Sequence, residues 1–184
     1  PASCAIISAS ELFRDPPQEN KHSCTPGVNG SIAMCISALN SCTYVAGHDA
    51  SLVSEINIVP EADSTLRISK LEFYERSPVN YNWIGGSTGP NNYPRFYGIR
   101  ILANGVEIYR QTGIGTHADW TLQTYEFPDI PAFNISSPTL LRIEILPYCL
   151  IGNGALVAAW DIDEMNLFGG CISNSGSLSG IVGT

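Results

Sequence analysis

From Leu66 to Gly170 the chain is a succession of short stretches in which apolar residues recur at every second position, and this period constrains the fold more than any other feature. A period of two puts successive side chains on opposite faces of an extended strand, so each stretch carries an apolar face that a second layer must cover. Leu52, Ile56 and Ile58 alternate with Glu55 and Asn57 until Pro60 ends the run. Tyr97, Ile99 and Ile101 alternate with Gly98, Arg100 and Leu102, and Leu141, Ile143 and Ile145 with Arg142 and Glu144 before Pro147. Trp120 and Leu122 open a further strand toward Phe127, while Trp160 and Ile162 point one way and Asp161 and Asp163 the other. Leu66 and Ile68 share one parity and Leu71 and Phe73 the other, which predicts a β-bulge near Ser69 and Lys70; parity changes again before Met165 and Leu167. Asn104-Gly105, between Ala103 and Val106, marks a tight hairpin. About eight such strands predict an all-β fold, an antiparallel two-sheet sandwich of jelly-roll type.

Composition narrows the partners. A chain of 184 residues, 44% hydrophobic, fits one domain with a sizeable core. With 9 Lys+Arg against 17 Asp+Glu, the net charge of -8 repels phosphate backbones and anionic lipid surfaces, which argues against nucleic acid as a partner. No apolar run approaches the ~20 residues of a membrane span, so membrane insertion is not expected.

The six cysteines, Cys4, Cys24, Cys35, Cys42, Cys149 and Cys171, form an even set without C-x-x-C spacing, which favours disulfides and an oxidising location, extracellular or at the cell surface. Cys35 and Cys42 are near enough for a small loop, and Cys4 can reach Cys171 if the terminal strands are neighbours. Buried free thiols are the alternative. Residues 1–50 hold four of the cysteines and read as an N-terminal cap or strands packed on the sandwich, with 31–39 either strand or short helix. Residues 51–171 form the sandwich itself, and 172–184 a Gly/Ser-rich C-terminal linker, as expected of a module from a longer chain.

Between Ser77 and Pro94 lies a stretch too long and too rich in Gly and Asn for a structural turn. Its aromatics and amides, Tyr81, Asn82, Trp83, Asn91, Asn92 and Tyr93, suit a ligand whose apolar faces stack on rings while its hydroxyls bond to amides. The alternative is that Trp83 and Tyr93 fold back on the sheet as a lid. His22, His48 and His117 are isolated, no nucleophile elbow or metalloprotease motif occurs, and His117-Ala118-Asp119 reads as a polar loop, so no catalysis is expected.

The blocks Leu66 to Pro78, Gly89-Pro90, Tyr97 to Gly105, Trp120 and Ala159 to Gly169 resemble, in order, jelly-roll modules of large secreted bacterial surface proteins and adhesins. They are also similar to carbohydrate-binding sandwiches, and together span about 105 of the 184 residues. The ending Gly180-Ile-Val-Gly-Thr184 is similar to the opening strand of a following extracellular repeat. The resemblance implies a non-catalytic adhesion module of a secreted or cell-surface bacterial protein that binds glycans. A structural or protein-binding module and a polysaccharide-active enzyme are the alternatives. It also implies a structural calcium near the first and last strands, for which Asp161, Asp163 and Glu55 are the candidate ligands, against a reading as solvated outer-face carboxylates.

Overall fold

The computed structural model describes residues 5–9, 13–14, 25–26, 28, 32–36, 38–49, 51–77, 93–151, 160–173 and 178–181. Among them the chain forms β1 (Ala5–Ala9), β2 (Phe13–Arg14), β3 (Thr25–Pro26), β4 (Ile32–Ile36), β5 (Leu52–Pro60), β6 (Ser64–Arg76), β7 (Tyr93–Ala103), β8 (Val106–Gly115), β9 (Thr121–Glu126), β10 (Asn134–Ile135), β11 (Thr139–Ile151), β12 (Trp160–Ser173) and β13 (Leu178–Ile181). A single 3-10 turn at Pro131–Phe133 is the only helical element among the described residues, and none of those residues forms a helix long and apolar enough to cross a membrane.

The expected all-β sandwich is the fold observed. One sheet runs β1-β5-β11-β7-β8 with β2 beside β5; the other runs β10-β6-β12-β4-β3 with β13 on β12 and β9 on β6. Consecutive strands lie in different sheets at β2–β3, β4–β5, β5–β6, β6–β7, β8–β9, β10–β11 and β11–β12. Sheet-to-sheet crossing makes consecutive strands face each other across the core, which suits strands with one apolar face. That core is built from Leu52, Ile56 and Ile58 of β5, Leu66, Leu71 and Phe73 of β6, Tyr97, Ile99 and Ile101 of β7, Leu141, Ile143 and Ile145 of β11, and Trp160 and Ile162 of β12. Phe127 and Phe133 stack at 4.6 Å between centroids and close the hairpin end.

Both parity breaks are bulges. Gly169 pairs with Ile68 and Phe168 with Lys70, leaving Ser69 as the extra residue, whose carbonyl accepts from Phe127 N at 2.9 Å. The second shift falls between Asp163 and Asn166, where Glu164 takes a φ of 49°. The β7–β8 turn has Asn104 at φ 47° and Gly105 at φ 80°, the left-handed pair that a two-residue hairpin loop requires.

Three expectations are corrected. In β9 the inward parity belongs to Gln123 and Tyr125, which pair with Phe73 and Leu71; Leu122 is exposed, because stacking of Tyr125 on Phe73 at 5.7 Å sets the face. β11 continues past Pro147 to Ile151, since its β5 pairing ends at Ile145 and Pro147 needs no donor there, while its carbonyl accepts from Leu39 N. Cys42 is bonded to Cys149, 107 residues away, and not to Cys35. Cys35 lies on β4 in the second sheet, opposite Asp161, whereas Leu39 and Ser41 run along β11 in the first, so the chain changes sheets between the two cysteines. Cys171 is also disulfide-bonded; Cys4 and Cys24 lie outside the described residues.

The stretch 38–49 covers the outer face of the first sheet. Tyr44 lies over Gly98, where a Cβ would sit 2.5 Å from Tyr44 Cε2, and meets Tyr148 edge-on at 5.9 Å. Burial pushes the Tyr44 hydroxyl up to about 12. Beyond it, ion pairs of 2.6 to 3.1 Å link Glu55, Arg142, Glu144, Arg100, Glu107 and Arg110 in sequence across β5, β11, β7 and β8.

Candidate functional site

Strand direction brings the end of β6 at Arg76, the start of β7 at Tyr93, the ends of β8 and β11 at Gly115 and Ile151, and the start of β12 at Trp160 to one end of the sandwich, together with the 116–120 connection after β8. Thr116 and His117 hold the two roots of the 78–92 connection. His117 O accepts from Ser77 N at 2.5 Å on the β6 side, while Thr116 N donates to Arg95 O at 3.2 Å and Thr116 Oγ1 to Pro94 O at 2.7 Å on the β7 side.

The His117 side chain is itself anchored on a carboxylate in the core. Glu75 shares the inward parity of Leu71 and Phe73, and its side chain is 0% exposed. Its Oε1 lies 2.6 Å from His117 Nδ1 and accepts from Gln123 Nε2 at 3.4 Å; its Oε2 accepts from the Trp160 indole Nε1 at 2.9 Å. Burial pushes the Glu75 carboxyl above its ordinary value, opposed in part by the bonds to His117 and Trp160. Next to it, the hydroxyls of Tyr97 and Tyr125 are hydrogen-bonded to each other, and the Tyr97 ring lies 5.2 Å from that of Trp160. Burial raises both phenols, so they remain protonated at any ordinary pH.

On the opposite face of the same strands, Arg76 Nε donates to the fully buried Asp161 at 2.8 Å, and the Arg76 guanidinium lies over the Trp120 ring at 4.5 Å from its centroid. Trp120 thus offers aromatic surface beside the His117 loop. At the rim of this end, His117 and Gln123 rest on Glu75 beside Trp160, Tyr97 and Tyr125, Trp120 covers Arg76 on the outer face of the second sheet, and Tyr93 begins β7.

Of the residues singled out in the sequence, Tyr93 begins β7, half-buried and paired with Ile151. Tyr81, Asn82, Trp83, Asn91 and Asn92 lie outside the described residues. The candidate calcium ligands are separated: Glu55 stands on the outer face of the first sheet with Arg142, while Asp161 and Asp163 belong to the second. Neither aspartate is solvated. Asp161 is paired with Arg76, and Asp163 accepts from Val28 N and Glu164 N at 2.9 Å each. These three carboxylates are not brought together around one ion, and among the described residues no group of three His, Cys, Asp or Glu is placed to hold a metal. Glu75 is the residue that the sequence reading missed; a carboxylate in step with Leu71 and Phe73 was its signal.

No protein-family model and no curated protein matches this chain. Among solved structures it is similar to a Stig cyclase from Fischerella sp. TAU in complex with an indole compound, at TM-score 0.39 and 14% identity, covering 90% of this chain and 84% of that one. It is also similar to a CBM51 module from Clostridium perfringens in complex with methyl-galactose, at TM-score 0.32 and 13% identity, covering 89% of this chain and 99% of that one. Likenesses at this level assign no function.

Proposed function

We propose that the chain is a non-catalytic adhesion module that binds glycans outside the cell through the loop-bearing end of its sandwich. The observation that supports this most is the tie made by Thr116 and His117, which fixes both roots of the aromatic- and amide-rich 78–92 connection onto a buried core group. Loops on a rigid scaffold are where recognition concentrates. Tyr93 and Trp120 supply ring faces for apolar sugar surfaces, and His117 and Gln123 supply polar groups for hydroxyls. The disulfide-bonded Cys42, Cys149 and Cys171 suit an oxidising compartment. A single site of this kind binds weakly, and repetition along a longer chain would supply avidity.

A glycan array with the purified chain tests the reading. Binding that is lost in Trp83→Ala with unchanged melting supports it. A blank array, or binding indifferent to Trp83 and Trp120 substitutions, contradicts it and points to a protein partner or a spacer role.

A further inference from the structure

His117 stands between a buried carboxylate and solvent. Its Nδ1 lies 2.6 Å from Glu75 Oε1 and 3.2 Å from Gln123 Nε2, its side chain is 48% exposed, and its Nε2 has no hydrogen-bond partner among the described residues. In a neutral imidazole, the bond made by one ring nitrogen decides which of the two carries the proton. Trp160 restricts the choice further. An indole nitrogen only donates, so Oε2 of Glu75 is committed as an acceptor and Oε1 alone faces His117 and Gln123.

Counting protons on the pair fixes the outer nitrogen. When Glu75 and His117 together hold one proton, it sits on Nδ1 and points at the carboxylate: a bare Nδ1 would accept from the Gln123 amide at 3.2 Å but would set its lone pair against an anionic oxygen at 2.6 Å, and the same amide is also within reach of Oε1. Nε2 is then bare. When they hold two, either both ring nitrogens are protonated beside an ionised Glu75, or the carboxyl donates to a bare Nδ1 and Nε2 carries the other proton. Nε2 is an N–H in both cases, so the outcome does not depend on how the inner proton is shared.

We infer that the Glu75–His117 pair selects the hydrogen-bond sense of the ligand end: His117 Nε2 accepts from a hydroxyl or amide when the pair holds one proton, and donates to an acceptor-only group, such as the carboxylate of an acidic sugar, when it holds two. The choice of sugar as ligand rests on the glycan-binding reading; the proton logic stands without it. Glu75 is faced by Trp160 from β12, Gln123 and Tyr125 from β9, Tyr97 from β7 and His117 from the β8–β9 loop. Both tyrosines are neutral, so no other charge in this set competes for the proton. Asp119 lies on His117's own loop, and Arg76 with Asp161 is on the far face of β6. Burial of Glu75 keeps the second proton to higher pH than an exposed glutamate would. Acidic sugars are therefore favoured as pH falls.

Nitrogen NMR of the histidine side chains in the whole chain tests this without a ligand. At about pH 9, with one proton on the pair, wild-type His117 is expected to carry it on Nδ1 with Nε2 bare, and uptake of a second proton by the pair makes Nε2 an N–H. In Glu75→Gln the Trp160 N–H holds the amide oxygen, the amide NH2 turns to His117, and the proton moves to Nε2 at the same pH. Diethyl pyrocarbonate, which acylates a bare exposed imidazole nitrogen, should then modify His117 about tenfold more slowly than in wild type, the factor that one hydrogen bond of ordinary strength imposes. Wild-type Nε2 protonated at about pH 9 overturns the inference, whether or not the variant folds. So does the same tautomer in both proteins. A blank glycan array beside the expected NMR result counts against the ligand reading alone.

Discussion

The Trp160 indole Nε1 donates to Glu75 Oε2 across 2.9 Å, tying the first residue of β12 to a carboxylate on the inward face of β6. Both side chains are fully buried, so neither has water as a substitute partner. Leaving one buried donor unsatisfied costs about 1 to 3 kcal/mol. Glu75→Ala is therefore expected to lower unfolding free energy by at least that amount, with a cavity contribution added, and Glu75→Gln, which keeps an acceptor for Trp160, by less. Urea unfolding of the two variants checks the order; equal losses would show that the Trp160 bond contributes little.

The pH dependence of stability has a definite sign. Burial raises the Glu75 carboxyl above the ordinary value of 4.5, so the folded chain binds this proton more tightly than the unfolded one. The resulting stability is fully present below that ordinary value and is lost as pH rises through the raised one. Wild type should therefore lose melting temperature relative to Glu75→Gln as the pH is taken from acid toward neutral. Parallel melting curves across that window would contradict the assignment.

Gly98 and Tyr44 form a second test pair. A Cβ at residue 98 would meet the Tyr44 ring at 2.5 and 2.7 Å, too close without displacement of the stretch that Cys42 and Cys149 pin to β11. Overpacking of this kind costs about 1 to 3 kcal/mol. Gly98→Ala should be destabilising alone and much less so combined with Tyr44→Ala, a coupling that a double-mutant cycle measures. Additive losses would mean that Tyr44 does not rest on Gly98 in solution.

Within the charged ladder, burial decides which member matters. Glu144 is 5% exposed and joins Arg142 and Arg100, whereas Glu107 is 31% exposed and joins Arg100 and Arg110. Solvent-exposed ion pairs contribute about 0.2 to 1 kcal/mol and weaken with salt. Glu144→Gln is expected to cost more than Glu107→Gln, and its cost to persist in high salt while that of Glu107→Gln fades. Equal costs at both salt concentrations would contradict this.

The layered fold was legible in the sequence because a period of two survives in the residues whatever the chain does elsewhere. Even the bulge at Ser69 followed from the parity of Ile68 against Leu71. What the sequence withheld were relations between strands. Trp120 and Leu122 share a parity, but Tyr125 and Phe127 had the stronger claim on the core and turned Leu122 outward. Cys42 found Cys149 because the stretch after β4 changes sheets, which spacing does not reveal. Glu55 and the two aspartates of β12 looked compatible in composition and belong to different sheets. Glu75 was visible as a carboxylate on an apolar face. Its partner His117 lies 42 residues away, in the connection by which the chain returns from the first sheet to the second, and only the assembled sandwich brings the two together.

The most direct measurement is a chemical-shift map of the isotope-labelled chain titrated with an array-selected oligosaccharide. The three tryptophans are natural reporters, since Trp83 belongs to the 78–92 connection, Trp120 to the rim and Trp160 to the sealed core. The expected result is movement of the Trp83 and Trp120 indole signals and of Tyr93, Thr116 and His117, with the Asn104-Gly105 turn at the other end of the sandwich unmoved. Shifts confined to that turn or to the charged ladder, or no saturable shift at all, would contradict glycan binding at the loop-bearing end.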